Sequence, residues 1–103
     1  MINVLIYMND KEQAEELARE LVNEKLGASA SVNVDNNYFE LIDEKVRKIE
    51  HVVITLQTKA LLFSVLTEFV EKRLQLEVPI YALPLISANQ FFDQFIRNNT
   101  RKV

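Results

Sequence analysis

A chain of 103 residues with no cysteine, one glycine and two prolines has room for one core. It has no material for a disulfide framework, a thiolate zinc site, a cysteine nucleophile or a glycine-rich phosphate loop. A net charge of −3 and a pI near 5.2 exclude a basic footprint for nucleic acid, and no apolar run approaches the ~20 residues that cross a bilayer.

The stretch from Ile2 to Met8 predicts a first strand, apolar on both faces at Val4, Leu5, Ile6, Tyr7 and Met8. No basic leader stands within it, so a cytoplasmic setting is the expectation. Asn9 with Glu12, or Asp10 with Gln13, has capping-box spacing for a helix to follow. Ala14, Leu17, Ala18, Leu21, Val22 and Leu26 then recur at helical spacing as one apolar stripe. Glu15 and Arg19 are placed for an i, i+4 pair worth roughly a few tenths of a kcal/mol. Gly27 stands where this helix must stop, and a left-handed glycine cap is expected there.

Strict alternation follows, Ala28, Ala30, Val32 and Val34 against Ser29, Ser31, Asn33 and Asp35, which predicts a strand with one wet face. Asp35-Asn36-Asn37 signals a turn or bulge, Tyr38 to Ile42 resumes an apolar segment, and Asp43-Glu44-Lys45 marks a hairpin turn. The return strand begins polar and becomes wholly apolar at Val52-Val53-Ile54, as a ribbon would that projects at one end and is buried at the other. Thr58 is placed to cap a second helix from about Lys59 to Leu74, with Leu62, Phe63, Leu66, Phe69, Val70 and Leu74 on its apolar face.

Glu77 to Ile86 is an almost unbroken apolar run with two prolines, and predicts a strand covered on both sides. Ser87-Ala88-Asn89-Gln90 has capping-box spacing for a short third helix anchored by Phe91 or Phe92, Phe95 and Ile96, and Asn98 to Val103 reads as a frayed polar tail. The order β-α-β-β-α-β plus a terminal helix is the ferredoxin-like pattern. It predicts one α+β domain over residues 1–103, an antiparallel sheet with both long helices on one face. The other face is left bare across strands that are apolar on both sides. Such a patch, roughly several hundred Å², marks an interface, so the chain is expected to form an oligomer.

Four segments resemble the CutA family, the divalent-cation tolerance proteins. Ala14 to Ala28 looks like that family's first helix and its entry into the second strand. Tyr38 matches the aromatic that begins its long hairpin, and Gln57-Thr58-Lys59 before Leu62-Phe63 resembles its Lys-Thr element. Glu77-Val78-Pro79 and Ala82-Leu83-Pro84 look like its Tyr-Glu-Val-Pro and Ala-Leu-Pro pieces. The resemblance implies a homotrimer with clefts between subunits. By position in the family pattern, Tyr38, Glu77 and Lys59 are the ligand-cleft candidates. The departures bear on chemistry. The family's cysteine is replaced by Ser29 or Ala30, its tryptophan by Phe39 or Glu40, its lysine by Gln57, and its His-Pro-Tyr by Leu74-Gln75-Leu76. That histidine is the family's proposed copper ligand, so the resemblance implies a divalent metal while this chain lacks the usual donor.

His51, the only histidine, is the one weak metal candidate; adjacent strand residues such as Glu50 point to the opposite face and cannot readily share its ion. Glu77 is either a cleft carboxylate or a solvent-exposed residue at a strand entry. Tyr38 is either a cleft phenol or an interface aromatic, and Tyr81 reads as packing. Ser29, Ser31 and Thr55 have no histidine or lysine at an activating spacing, so no enzyme is expected. The functional expectation is a CutA-like trimer in divalent-ion tolerance that takes an ion or small ligand between subunits. The alternative is a PII-like regulatory trimer with a small-molecule effector and a partner protein. Neither nucleic acid nor membrane is expected as a partner.

Overall fold

The computed structural model describes residues 1–103. Its central strand is β1 (Ile2–Met8), followed by α1 (Lys11–Asn23), β2 (Ser29–Ile42), β3 (Lys45–Thr58), α2 (Phe63–Leu74), β4 (Ile80–Pro84) and α3 (Gln90–Asn98). The four strands pair antiparallel in the order β2-β3-β1-β4, the α+β ferredoxin-like arrangement expected from the pattern. Alternate side chains of the strands enter the core: Val4, Ile6 and Met8 of β1 and Val52, Ile54 and Leu56 of β3 pack with Ala14, Leu17 and Leu21 of α1 and Leu66, Val70 and Leu74 of α2. Both long helices therefore cover the same face. Val22, assigned to the helical stripe by spacing, lies at its edge and is exposed.

Asp10 caps α1, its Oδ1 accepting the Glu12 N–H at 3.1 Å. The other end departs from expectation. Lys25, not Gly27, holds the left-handed position, at φ 58°. The Leu26 N–H reaches the Leu21 carbonyl at 2.9 Å and the Lys25 N–H reaches that of Val22 at 3.0 Å, a Schellman closure completed by burial of Leu21 and Leu26 together. Gly27 serves close approach instead: a Cβ there would lie 2.8 Å from Leu56 Cδ1. The expected Glu15–Arg19 pair does not form. Arg73 of α2 takes the acidic face of α1, with Nε 2.8 Å from Glu20 Oε1, and a more distant contact to Glu16.

Thr58 is not a helix cap. It ends β3 fully buried with its hydroxyl unpartnered, and a short 3₁₀ turn over Ala60–Leu62 leads into α2. Gln75, at φ 58°, closes α2. Asn89 rather than Ser87 caps α3, its Oδ1 accepting the Phe92 N–H at 2.9 Å. Ile96 anchors that helix. Phe92 stacks on Phe95, while Phe91 is 81% exposed and is not core.

The tail is tied down rather than frayed. The Thr100 hydroxyl donates to the Ile96 carbonyl, and Arg101 donates through Nε to the Glu24 carbonyl at 2.8 Å and through its own N–H to that of Lys25 at 2.9 Å. The last turn of α1 has no basic residue of its own, so Arg101 supplies the cation that a helix C-terminus favours.

The opposite face of the sheet is open, as expected, but less uniformly apolar. Leu5, Tyr7, Tyr81 and Leu83 occupy its β1–β4 side. Across β1, β3 and β2 runs a polar ladder: the Ser29 hydroxyl donates to Gln57 Oε1 at 2.8 Å, and Gln57 Nε2 donates to Asn3 Oδ1 at 2.7 Å. β4 is also shorter than its apolar run. Its regular pairing ends at Pro84, after which the Leu85 N–H still reaches the Met1 carbonyl. Beyond the core, β2 and β3 continue as a two-stranded ribbon, and the molecule measures 45 Å along its longest axis. Asp43 and Glu44, both at positive φ, make the turn that joins them.

Candidate functional site

The open face and the ribbon meet at a bulge. Asn33 pairs with Val53, but His51 pairs with Asn36, so one extra residue stands in β2, where Asp35 adopts φ 60°. That insertion reverses the alternation of β2. Before it, Ser29, Ser31 and Asn33 share the open face; after it, Asn36, Tyr38 and Glu40 do. Without the bulge the Tyr38 ring would lie on the helix side of the sheet.

The rings gathered there pack around Tyr7. Its centroid is 5.2 Å from that of His51, 5.8 Å from that of Tyr38 and 5.9 Å from that of Tyr81. Tyr38 and His51 are 5.0 Å apart. The Tyr7–Tyr38, Tyr7–His51 and Tyr38–His51 pairs meet edge to face, the arrangement that sets a positive ring edge against a negative ring face. The Tyr7 and Tyr81 hydroxyls are 3.2 Å apart and share a hydrogen bond. That bond, then desolvation and the nearby phenols, pushes the Tyr7 pKa up to about 12. His51 Nδ1 is buried without a hydrogen-bond partner. These rings, with Ile49, Pro79 and the Glu40 carboxylate, line an open cleft of about 420 Å³.

Of the residues singled out from sequence, the fold brings Tyr38 and His51 together. Glu77 is exposed and outside the cavity lining, two positions ahead of Pro79, which does line it. Lys59 lies past the other end of β3, where its Nζ donates to the Arg101 carbonyl at 2.8 Å. Tyr81 packs on Tyr7 as expected, but it is also 43% exposed and lines the cavity. Tyr7, which the sequence presents only as a strand residue, is the hub. The signal for both is register, since in the order β3-β1-β4 Tyr7 stands opposite Val53 and Tyr81 opposite Leu5, on one face and one step apart.

The copper that the resemblance implies does not fit the donors of this chain. Nowhere do three or more His, Cys, Asp or Glu side chains converge, whereas tight transition-metal sites need several such ligands. Leu74, at the family's histidine position, is buried in the core, and Tyr7 keeps its phenol proton well beyond neutral pH. No helix is long and apolar enough to cross a membrane.

The family model described as CutA1 divalent ion tolerance protein matches residues 2–99. Among solved structures, the chain is similar to the divalent cation tolerance protein (Cut A1) from Thermus thermophilus, with a TM-score of 0.88 at 25% identity over 98% of this chain and 100% of that one. It is similar to CutA1 from Oryza sativa, with a TM-score of 0.91 at 24% identity over 99% and 94% of the two chains. A third likeness is to the periplasmic divalent cation tolerance protein CutA from Archaeoglobus fulgidus, with a TM-score of 0.85 at 21% identity over 96% and 98%. No curated protein matches the chain by sequence.

Proposed function

Because the chain belongs to the family of CutA1 divalent ion tolerance proteins, we propose that it acts as a non-enzymatic homotrimer in divalent-ion tolerance, with ligand clefts beside the subunit contacts. The observation that carries the reading is the uncovered apolar surface at both ends of the sheet. Leu5 and Leu83 lie on the open face, and on the ribbon Phe39, Leu41 and Val46 are 63%, 69% and 72% exposed. Phe39, Leu41 and Val46 share one side of a ribbon that has left its own core behind, so further copies of the chain are the natural cover.

Two features support a binding role over a catalytic one. The Ser29 hydroxyl spends its proton on the Gln57 amide rather than on a base, and the Tyr7 phenol is held protonated. Since one chain does not assemble a transition-metal site, any ion is held by donors from more than one subunit. Calorimetric titration with copper, zinc and other divalent ions tests this. The expected result is binding tighter than about millimolar by the assembled trimer, with one ion per subunit contact, and none by the dissociated chain. No heat with any ion removes ion binding from the role, and a thermal shift with nucleotides instead points to a PII-like regulatory trimer.

A further inference from the structure

The open face of the sheet is free of formal charge. From Asn3, Ser29 and Gln57 at one end to Asn36 and His51 at the other, no side chain on it is Asp, Glu, Lys or Arg, in a chain that is 26% charged. The first charges on that side, Glu40 and Arg47, stand out on the ribbon. We propose that Gln57 is the specificity-determining residue of self-assembly, its carboxamide fixing the register in which copies of this chain meet on the open face. The proposal deepens the subunit-contact part of the function above and rests on the trimer, to which it adds the residue that selects one arrangement of the copies.

Three observations support this. The absence of charge is what the core of a protein contact shows, where charged residues are depleted. It suits a second copy, which brings the same uncharged surface, rather than a partner recognised by its charge. The face also has two unlike halves: Leu5, Tyr81 and Leu83 make an apolar side over β1 and β4, while Ser29, Ser31 and Asn33 make a polar side along β2. Apolar contact attracts without direction, so it tolerates a slip of one copy past another. Hydrogen bonds do not. Gln57 joins the halves, its Oε1 accepting from Ser29 at 2.8 Å and its Nε2 donating to Asn3 Oδ1 at 2.7 Å, and all three residues are already half-buried in one chain. The second Nε2–H of Gln57 and the Asn3 amide N–H groups have no partner within the chain. Once another copy excludes water from them, only a register that brings acceptors to these groups avoids leaving buried donors unpaired. A single polar residue in an otherwise apolar coiled-coil seam specifies register and copy number for the same reason.

The test follows particle mass by light scattering and native mass spectrometry, with circular dichroism reporting the fold, for the unaltered chain, Gln57→Leu and Gln57→Glu. The unaltered chain is expected as a single trimer. Gln57→Leu keeps the bulk of the side chain and removes its donor and acceptor, so the copies should still associate but as a mixture of masses. Gln57→Glu puts a charge on the uncharged face and should raise the concentration at which the assembly dissociates by about tenfold or more at neutral pH. Below about pH 4 the protonated carboxyl again offers a donor and an acceptor, and assembly should recover, with the unaltered chain at the same pH as control. Folded variants that both remain single trimers of unchanged dissociation overturn the role of Gln57 and leave the trimer standing. Weakening by Gln57→Glu that acid does not reverse, while the control stays assembled, overturns the hydrogen-bonding role in the same way. An unaltered chain of 12.0 kDa overturns the trimer and the proposal with it. Where a Gln57 variant fails to fold, Asn3→Leu carries the same expectation of mixed masses, and a single trimer from it overturns the proposal.

Discussion

The two faces of the sheet are built from the same strands, one residue apart, and do opposite things. On the helix side Val4, Ile6, Ile54 and Leu56 are wholly buried in one apolar cluster. On the open side their immediate neighbours Leu5, Tyr7, Thr55 and Gln57 form a polar ladder, an aromatic cleft and a partly exposed apolar edge. Stability resides on the first face. The second is left uncovered by the helices, and it is the face to which the proposed function assigns recognition. The bulge at Asp35 links the two, because it turns Tyr38 out of the helix-side register and into the cleft.

Substitutions on the two faces should therefore separate. Leu56→Ala, at a site with no exposure, is expected to cost about 3 to 4 kcal/mol in urea unfolding. Leu83→Ala on the open face should change the stability of the dissociated chain by less than about 1 kcal/mol, and equal losses would dissolve the distinction. Gly27→Ala is the next largest effect. Its methyl group meets Leu56 Cδ1 at 2.8 Å, and a loss of about 1 kcal/mol is expected by the same measurement. Lys25→Gly should act in the opposite direction, gaining roughly 0.5–1 kcal/mol by relieving a left-handed residue at φ 58°.

The smallest effect is spectroscopic. With the Tyr7 pKa raised to about 12, its ionisation should lag behind that of an ordinary phenol in an alkaline absorbance titration, and Tyr81→Phe should bring it down. The sign for stability follows from proton binding. Between the ordinary tyrosine value of about 10 and the folded value, the unfolded chain releases this proton and the folded chain does not. The contribution of Tyr7 is thus complete below that window and is lost as pH rises through it.

The fold is legible in the sequence because hydrophobic period and element order are local properties. The alternation from Ala28 to Asp35 and the stripe through Ala14, Leu17 and Leu21 each specify their element without knowledge of the rest. Sequence and structure part where a residue's role is set by a distant neighbour. Gly27 reads as a cap, but its constraint comes from Leu56, on another strand. The tail reads as frayed, yet Arg101 finds the open end of α1, which is 77 residues away in sequence. The cleft is half legible. Tyr38 and His51 stand out in the sequence, but Tyr7 and Tyr81 join them only through the register of three strands, and sequence spacing does not carry register.

The open face and the ribbon tip make assembly the central claim, and light scattering at micromolar concentration tests it directly. The account predicts a particle of three times the 12.0 kDa chain mass, lowered by a charge introduced at Leu83. A stable particle of 12.0 kDa, with Leu5, Leu83, Phe39 and Val46 left in water, would contradict it.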